Sequence, residues 1–165
     1  MDKILLIGMP SCGKTSIGTC LAKILHYTFI DTDRLIEERA GITIAEIFEA
    51  SGEAAFRQLE TACMQSCADE TDAVISAGGG VILRPENMAP YADDATMVVW
   101  IRRDMAGLQV GGARPLSTSR AALAEMYEKR RPLYERYADE IVDNIGVSET
   151  ARHIAAMVRA RMQDR

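Results

Sequence analysis

The sequence predicts an α/β fold built on a five-stranded parallel sheet covered by helices on both faces. Three observations carry that prediction. The candidate strands are continuous apolar runs, as strands buried on both faces are. Segments with helical spacing separate them. Glycines and polar residues collect where the runs end, and open parallel sheets bind ligands outside those ends.

The elements follow in order. Residues 4–7, all apolar, form the first strand, and Gly8 ends it. Residues 14–25 carry Ile17, Leu21, Ile24 and Leu25 at helical spacing. Residues 27–30 form the second strand, and a helical stretch over 34–39 comes after Asp31-Thr32-Asp33. Thr43 caps a helix holding Ile44, Ile47 and Phe48, with Glu46 at the capping-box position. Residues 53–68 form a long helix. The third strand, 73–76, leads into Gly78-Gly79-Gly80, and the fourth spans 96–101. Residues 107–119, with two adjacent glycines and a Ser-Thr-Ser run, read as a mobile loop. A charged helix follows over 121–137, where Pro132 is expected to kink or break it. A short strand at 141–142 and a helix over 149–162 close the chain.

Composition narrows the function classes. At 165 residues, 48% hydrophobic and 26% charged, the chain suits one domain over 1–165 that needs no disulfide or metal staple. Its apolar stretches are too short to span a membrane. Met1-Asp2-Lys3 runs directly into the first strand without the features of a signal peptide, so a cytoplasmic location is expected. A net charge of −5 argues against nucleic-acid binding but not against a small anionic substrate. Cys12, Cys20, Cys63 and Cys67 lack zinc-site spacing, with only His26 and His153 beside them, and are expected to be reduced thiols. A monomer is expected; a homodimer stays open.

Gly8-Met9-Pro10-Ser11-Cys12-Gly13-Lys14-Thr15 fills every fixed position of G-x-x-x-x-G-K-[ST] between a predicted strand and a predicted helix. Glycines let successive N–H groups converge on phosphate oxygens, and the helix N-terminus adds its dipole. Lys14 reaches the β- and γ-phosphates, and Thr15 offers a hydroxyl to Mg²⁺. Ser11, Cys12, Gly13 and Ser16 complete the nucleotide-binding stretch. Cys12, beside Lys14 at a helix N-terminus, is expected to be sensitive to oxidation. No Asn-Lys-x-Asp guanine motif follows, and the short chain favours a compact kinase.

A second set of residues suggests the phosphate acceptor. If the second strand continues through Asp31 and Asp33, both carboxylates share a face. One could hold Mg²⁺ and the other accept a hydroxyl proton; otherwise Asp31 only caps the next helix. Arg57 and Glu60, three apart on a helix, would ordinarily be a solvated pair. The three glycines imply close approach to the backbone.

Together these segments resemble the shikimate kinase family over essentially the whole chain. Asp31-Thr32-Asp33 resembles its D-x-D segment, and Gly52-Glu53-Ala54-Ala55-Phe56-Arg57-Gln58-Leu59-Glu60 its G-E-x-x-F-R-x-x-E helix. Gly78-Gly79-Gly80, Arg114-Pro115-Leu116 and Arg130-Arg131-Pro132-Leu133-Tyr134 resemble its glycine turn, its lid and its R-x-P-L-Y segment. The resemblance implies a P-loop three-layer fold, like that of nucleoside-monophosphate kinases, with a short lid near 107–119 and a substrate-binding helical region near 32–61. It implies transfer of the γ-phosphate of ATP to the 3-hydroxyl of shikimate, with Mg²⁺. At the matching positions, Lys14, Asp33 and Arg114 would be catalytic, and Arg114 would also contact the nucleotide. Asp33, Arg57, Gly79 and Arg130 would bind shikimate, and Thr15 and Asp31 would place the metal. The lid departs from the pattern, with no arginine before Arg114 and Arg-Pro-Leu-Ser in place of R-P-L-L, so raised shikimate-independent ATP hydrolysis is expected. A gluconate-kinase-like enzyme and a non-catalytic binding regulator are the alternatives.

Overall fold

The computed structural model describes residues 2–104, 116 and 119–164. The strands are β1 (Lys3–Ile7), β2 (Thr28–Asp31), β3 (Ala73–Ser76), β4 (Thr96–Arg102) and β5 (Glu140–Asp143). The helices are α1 (Lys14–Leu25), α2 (Thr32–Ala40), α3 (Ile44–Cys67), α4 (Pro85–Met88), α5 (Arg120–Tyr137) and α6 (Val147–Gln163). The strands form one parallel sheet of order β2-β3-β1-β4-β5. Ile4, Leu5, Leu6 and Ile7 of β1 are fully buried at its centre, which is why that run carries no polar residue. The order reverses at β1, so the turns after β1 and β3 open side by side at the carboxyl edge. That is where such a sheet forms its crevice. No described helix is long and apolar enough to cross a membrane. All four cysteines are free thiols.

Local chemistry explains the helix boundaries. Thr43 Oγ1 accepts from Glu46 N (3.2 Å) while Glu46 Oε2 accepts from Thr43 N (2.7 Å), the reciprocal capping box expected of this pair. The helix it starts does not end before residue 53. It bends at Gly52, whose φ of 81° and ψ of 175° are non-helical, and continues to Cys67. The bend folds the two halves so that Phe48 meets Phe56 at 5.1 Å between ring centroids.

One open reading is decided and one expectation is corrected. β2 ends at Asp31, so Asp31 and Asp33 do not share a strand face. Asp31 is the N-cap of α2, its side chain accepting from Asp33 N and Arg34 N, and Asp33 sits in the first helical turn. An aspartate ahead of a helix satisfies otherwise unpaired N–H groups, and that outweighs strand continuation. α5 also runs through Pro132 without a break. Leu123, Arg130 and Tyr134 on this helix are buried, and Tyr134 stacks on Trp100 at 5.5 Å. Those tertiary contacts hold the helix across the one missing N–H.

Candidate active site

A cleft of about 440 Å³ opens at the carboxyl edge of the sheet. One end is the loop after β1. Gly8 (φ 148°), Ser11 (φ 65°) and Gly13 (φ 105°) turn the backbone, leaving the first N–H groups of α1 without intrahelical partners. Ser11, Gly13, Lys14, Thr15 and Ser16 line the cleft. The Lys14 ammonium donates to Gly8 O (2.7 Å) and Met9 O (2.9 Å), which folds it back over the loop. Cys12 is 1% exposed, so the access that oxidation requires is closed, against the expectation.

Thr15 and Asp31 meet beside that loop. Thr15 Oγ1 donates to Asp31 Oδ2 (3.0 Å), while Asp31 Oδ1 accepts from Asp33 N (3.1 Å). Asp31 therefore caps the helix with one oxygen and faces Thr15 with the other. Two hard oxygen donors next to a phosphate loop fit Mg²⁺, which usually takes one or two protein ligands plus substrate phosphates.

The other end is built from α3, α5 and the turn after β3. Arg57 Nη1 pairs with Glu60 Oε1 at 2.8 Å, and Arg57 Nη2 reaches Glu53 at 3.4 Å. This pair is not solvated: Arg57 is 7% exposed and Glu60 1%. They continue the buried stripe of Phe56, Cys63, Met64 and Cys67 along α3, and Phe56, Arg57 and Glu60 line the cleft. Arg130, 4% exposed, enters from α5. The next turn of α5 presents Tyr134, whose hydroxyl donates to Gly79 O (2.5 Å).

Each of the three glycines makes room for a different neighbour. A Cβ on Gly78 would lie 2.7 Å from Asp33 Oδ1 and 2.9 Å from Glu60 Oε2. One on Gly79 would meet Pro10 at 2.8 Å and Arg130 Nη1 at 3.1 Å. One on Gly80 would strike the Arg57 guanidinium. None of the three has positive φ, so close approach rather than backbone freedom requires glycine here.

Asp33 is the electrostatic centre of the cleft. Its Oδ1 is sealed from solvent without a protein partner, as is Glu60 Oε2. Burial raises the Asp33 pKa to about 6, helped by the charges of Glu60 and Asp31 and opposed by Lys14 and Arg57. Burial also raises the Glu60 pKa, against the pull of Arg57. Burial holds the Tyr134 hydroxyl protonated, as a donor must be.

Of the residues expected at the site, Ser11, Gly13, Lys14, Thr15, Ser16, Asp31, Asp33, Arg57, Gly79 and Arg130 line this one cleft. Cys12 lies beneath it. Arg114 and most of the expected lid fall outside the described residues; Leu116, from that segment, lines the cleft. Phe48, Phe56, Met126 and Arg103 also line it and were not anticipated. Arg103, directly after β4, had a usable signal: a cation just past the carboxyl end of a strand. The aromatic pair had none, because a cleft wall and a core use the same residues.

A parallel sheet of this order, with every fixed position of the phosphate loop present after β1 and a pocket lined by paired arginines and carboxylates beyond it, defines a nucleoside-monophosphate-kinase-like P-loop phosphotransferase. The comparisons with known proteins are more specific. A family model described as shikimate kinase matches residues 10–161. A shikimate kinase of Caldanaerobacter subterraneus subsp. tengcongensis is 36% identical over 149 residues, 87% of this chain and 86% of that one. One from Synechococcus sp. is 42% identical over 140 residues, 79% of this chain and 72% of that one. The solved shikimate kinase of Acinetobacter baumannii, in complex with shikimate, superposes with a TM-score of 0.91 at 28% identity, over 97% of this chain and 94% of that one. The chain belongs to the shikimate kinase family, whose members are ATP-dependent phosphotransferases.

Proposed function

We propose that the cleft binds MgATP at its loop end and shikimate at its arginine end, and transfers the γ-phosphoryl group to the 3-hydroxyl. The observation that carries the reading is Asp33, whose charge couples to Lys14 at one end and to Arg57 and Glu60 at the other. The loop N–H groups and Lys14 grip the β- and γ-phosphates. Thr15 and Asp31 hold Mg²⁺, which neutralises phosphate charge when bound. Arg57 and Arg130 clamp the shikimate carboxylate, using the planar fork that guanidinium offers a carboxylate. The Gly79 backbone contacts the substrate, and Phe48 and Phe56 wall the site. Asp33 orients the 3-hydroxyl and takes its proton as the oxygen bonds to phosphorus and ADP leaves. Arg114 stabilises charge on the phosphoryl group in transit.

One chain supplies every group named, so a monomer suffices, and the acidic net charge suits an enzyme with no nucleic-acid partner. A cytoplasmic location completes the reading.

ADP release from MgATP, with shikimate, gluconate or no acceptor, tests it. Release that depends on shikimate is expected. Release with gluconate alone, or shikimate binding without turnover, would replace the reading with one of its alternatives.

A further inference from the structure

Resting on that nucleotide reading, we infer that Asn144 is a positioning residue of the phosphate grip. It lies in the turn between β5 and α6, 132 residues from the loop it contacts. Its side-chain amide is fixed at both ends. Asn144 Nδ2 donates to Cys12 O (2.9 Å), and Asn144 Oδ1 accepts from Gly146 N (3.0 Å). These contacts also settle the amide's orientation, because a carbonyl only accepts and a backbone N–H only donates. The backbone is tied too: Asn144 N donates to Arg102 O at 2.9 Å.

The consequence follows from peptide geometry. Cys12 O and Gly13 N–H belong to one planar trans unit, so they point in opposite directions. Holding the carbonyl back against Asn144 sets the opposite direction for the Gly13 N–H. Gly13 is the N-cap of α1 and has no side chain to do this job. A side chain is also excluded there, because a Cβ on Gly13 would lie 2.5 Å from Asn144 Nδ2. Three other loop carbonyls have side-chain donors of their own: Lys14 on Gly8 O and Met9 O, and Arg103 Nη1 on Ser11 O at 3.4 Å. Lys14 is the donor that a nucleotide recruits to its phosphates. Asn144 is free of that demand and keeps the loop's shape while Lys14 engages the ligand.

Two variants test this. Asn144→Ala removes the amide, and Asn144→Leu keeps a branched side chain of similar size without a donor. ADP with Mg²⁺ is the calorimetric probe, beside shikimate titration, KM values and melting temperature. Both variants should bind ADP about five- to tenfold more weakly, the loss expected for one hydrogen bond. The KM for ATP should rise by a similar factor, while shikimate affinity stays within about twofold.

Thr150→Val separates this role from simple support of the turn. Buried Thr150 accepts from Ile145 N (3.1 Å) in the same turn, and its hydrogen bonds stay within that turn. Its loss should lower the melting temperature and leave ADP affinity unchanged. ADP binding equal to wild type in both Asn144 variants overturns the proposal. So does an equal loss of ADP and shikimate affinity, or a Thr150→Val effect on ADP as large as that of Asn144→Ala. A wild-type protein that takes up no ADP would instead overturn the nucleotide reading itself.

Discussion

Gly80→Ala adds one methyl group at a position where the backbone tolerates it. Gly80 has φ −94° and ψ 6°, which an alanine can adopt. The cost comes from Arg57. The new Cβ would sit 2.5 Å from Nη2 and 2.7 Å from Cζ, so the guanidinium must retreat by about an ångström to reach normal contact. That retreat breaks the 2.8 Å pair with Glu60, which is 1% exposed and whose other oxygen already lacks a protein partner. Stranding a buried carboxylate by removing its partner costs about 3–5 kcal/mol. Arg57 is displaced rather than removed, so about 3 kcal/mol is expected from urea unfolding at neutral pH. The sign with pH is fixed. Burial raises the Glu60 pKa and Arg57 restrains it, so losing Arg57 raises it further. The penalty is full above that pKa and fades as acid neutralises the carboxyl. Calorimetry should show shikimate binding at least about tenfold weaker, as one arm of the carboxylate clamp has moved. Gly41→Ala is the reference. Gly41 has φ 73° and nothing within 4 Å of a Cβ, so the substitution should cost about 1 kcal/mol in backbone strain and leave shikimate binding unchanged. A Gly80→Ala protein with wild-type stability and wild-type shikimate affinity would refute the reasoning.

Three further substitutions probe the same cleft. Asp33→Asn should lower kcat at least about a thousandfold yet stabilise the ligand-free, metal-free protein. The Asp33 pKa rises from 3.8 to about 6 on folding, so its charge costs up to ~3 kcal/mol above pH 6 and nothing below about pH 4. Urea melts of both proteins at pH 4 and pH 8 should show a gain confined to pH 8. Arg57→Lys keeps the charge but loses the fork, so the KM for shikimate should rise at least about tenfold with the KM for ATP unchanged, read from steady-state kinetics. Tyr134→Phe removes the donor to Gly79 O and should cost ~1–2 kcal/mol in a thermal melt. The freed turn should also weaken shikimate binding severalfold without affecting ADP.

What could be read from the sequence depended on how local its cause was. The phosphate loop and its strand were legible because eight consecutive residues carry the chemistry and one apolar run carries the strand. The Thr43–Glu46 capping box was legible for the same reason. Asp31 and Asp33 line one cleft, but the sequence left strand extension and capping open for Asp31, because capping of α2 competes with strand extension over one residue. The burial of Arg57 and Glu60 was hidden. Residues spaced three apart on a helix describe a surface pair, yet these two share the buried stripe of Phe56, Cys63, Met64 and Cys67. Asn144 was hidden more deeply, since its partner carbonyl is 132 residues away and no side-chain pattern marks it.

The cleft also shows how an acidic chain makes room for two anionic substrates. Lys14, Arg57 and Arg130 are buried there, where unpaired charge is costly. Asp31, Asp33 and Glu60 line the same space and offset these three buried cations before any ligand arrives, while Arg103 at the rim leaves the lining one positive charge in excess. Offsetting charges close enough to matter leaves little volume between them, and the turn after β3 crosses that volume. Gly78 passes Asp33 and Glu60, Gly79 passes Pro10 and Arg130, and Gly80 passes Arg57, each without free space for a methyl group. Glycine at 78 and 80 is therefore a steric consequence of the charged side chains packed against the turn, and glycine at 79 of the phosphate loop beside it. An alanine at Gly78 would press on Asp33 and Glu60, at Gly79 first on Pro10 of the phosphate loop, and at Gly80 on Arg57, so the three substitutions should fail differently. Gly78→Ala should act through Asp33 and depress kcat, Gly80→Ala should act through Arg57 and raise the KM for shikimate, and Gly79→Ala, which pushes first on Pro10 of the phosphate loop, should raise the KM for ATP as well.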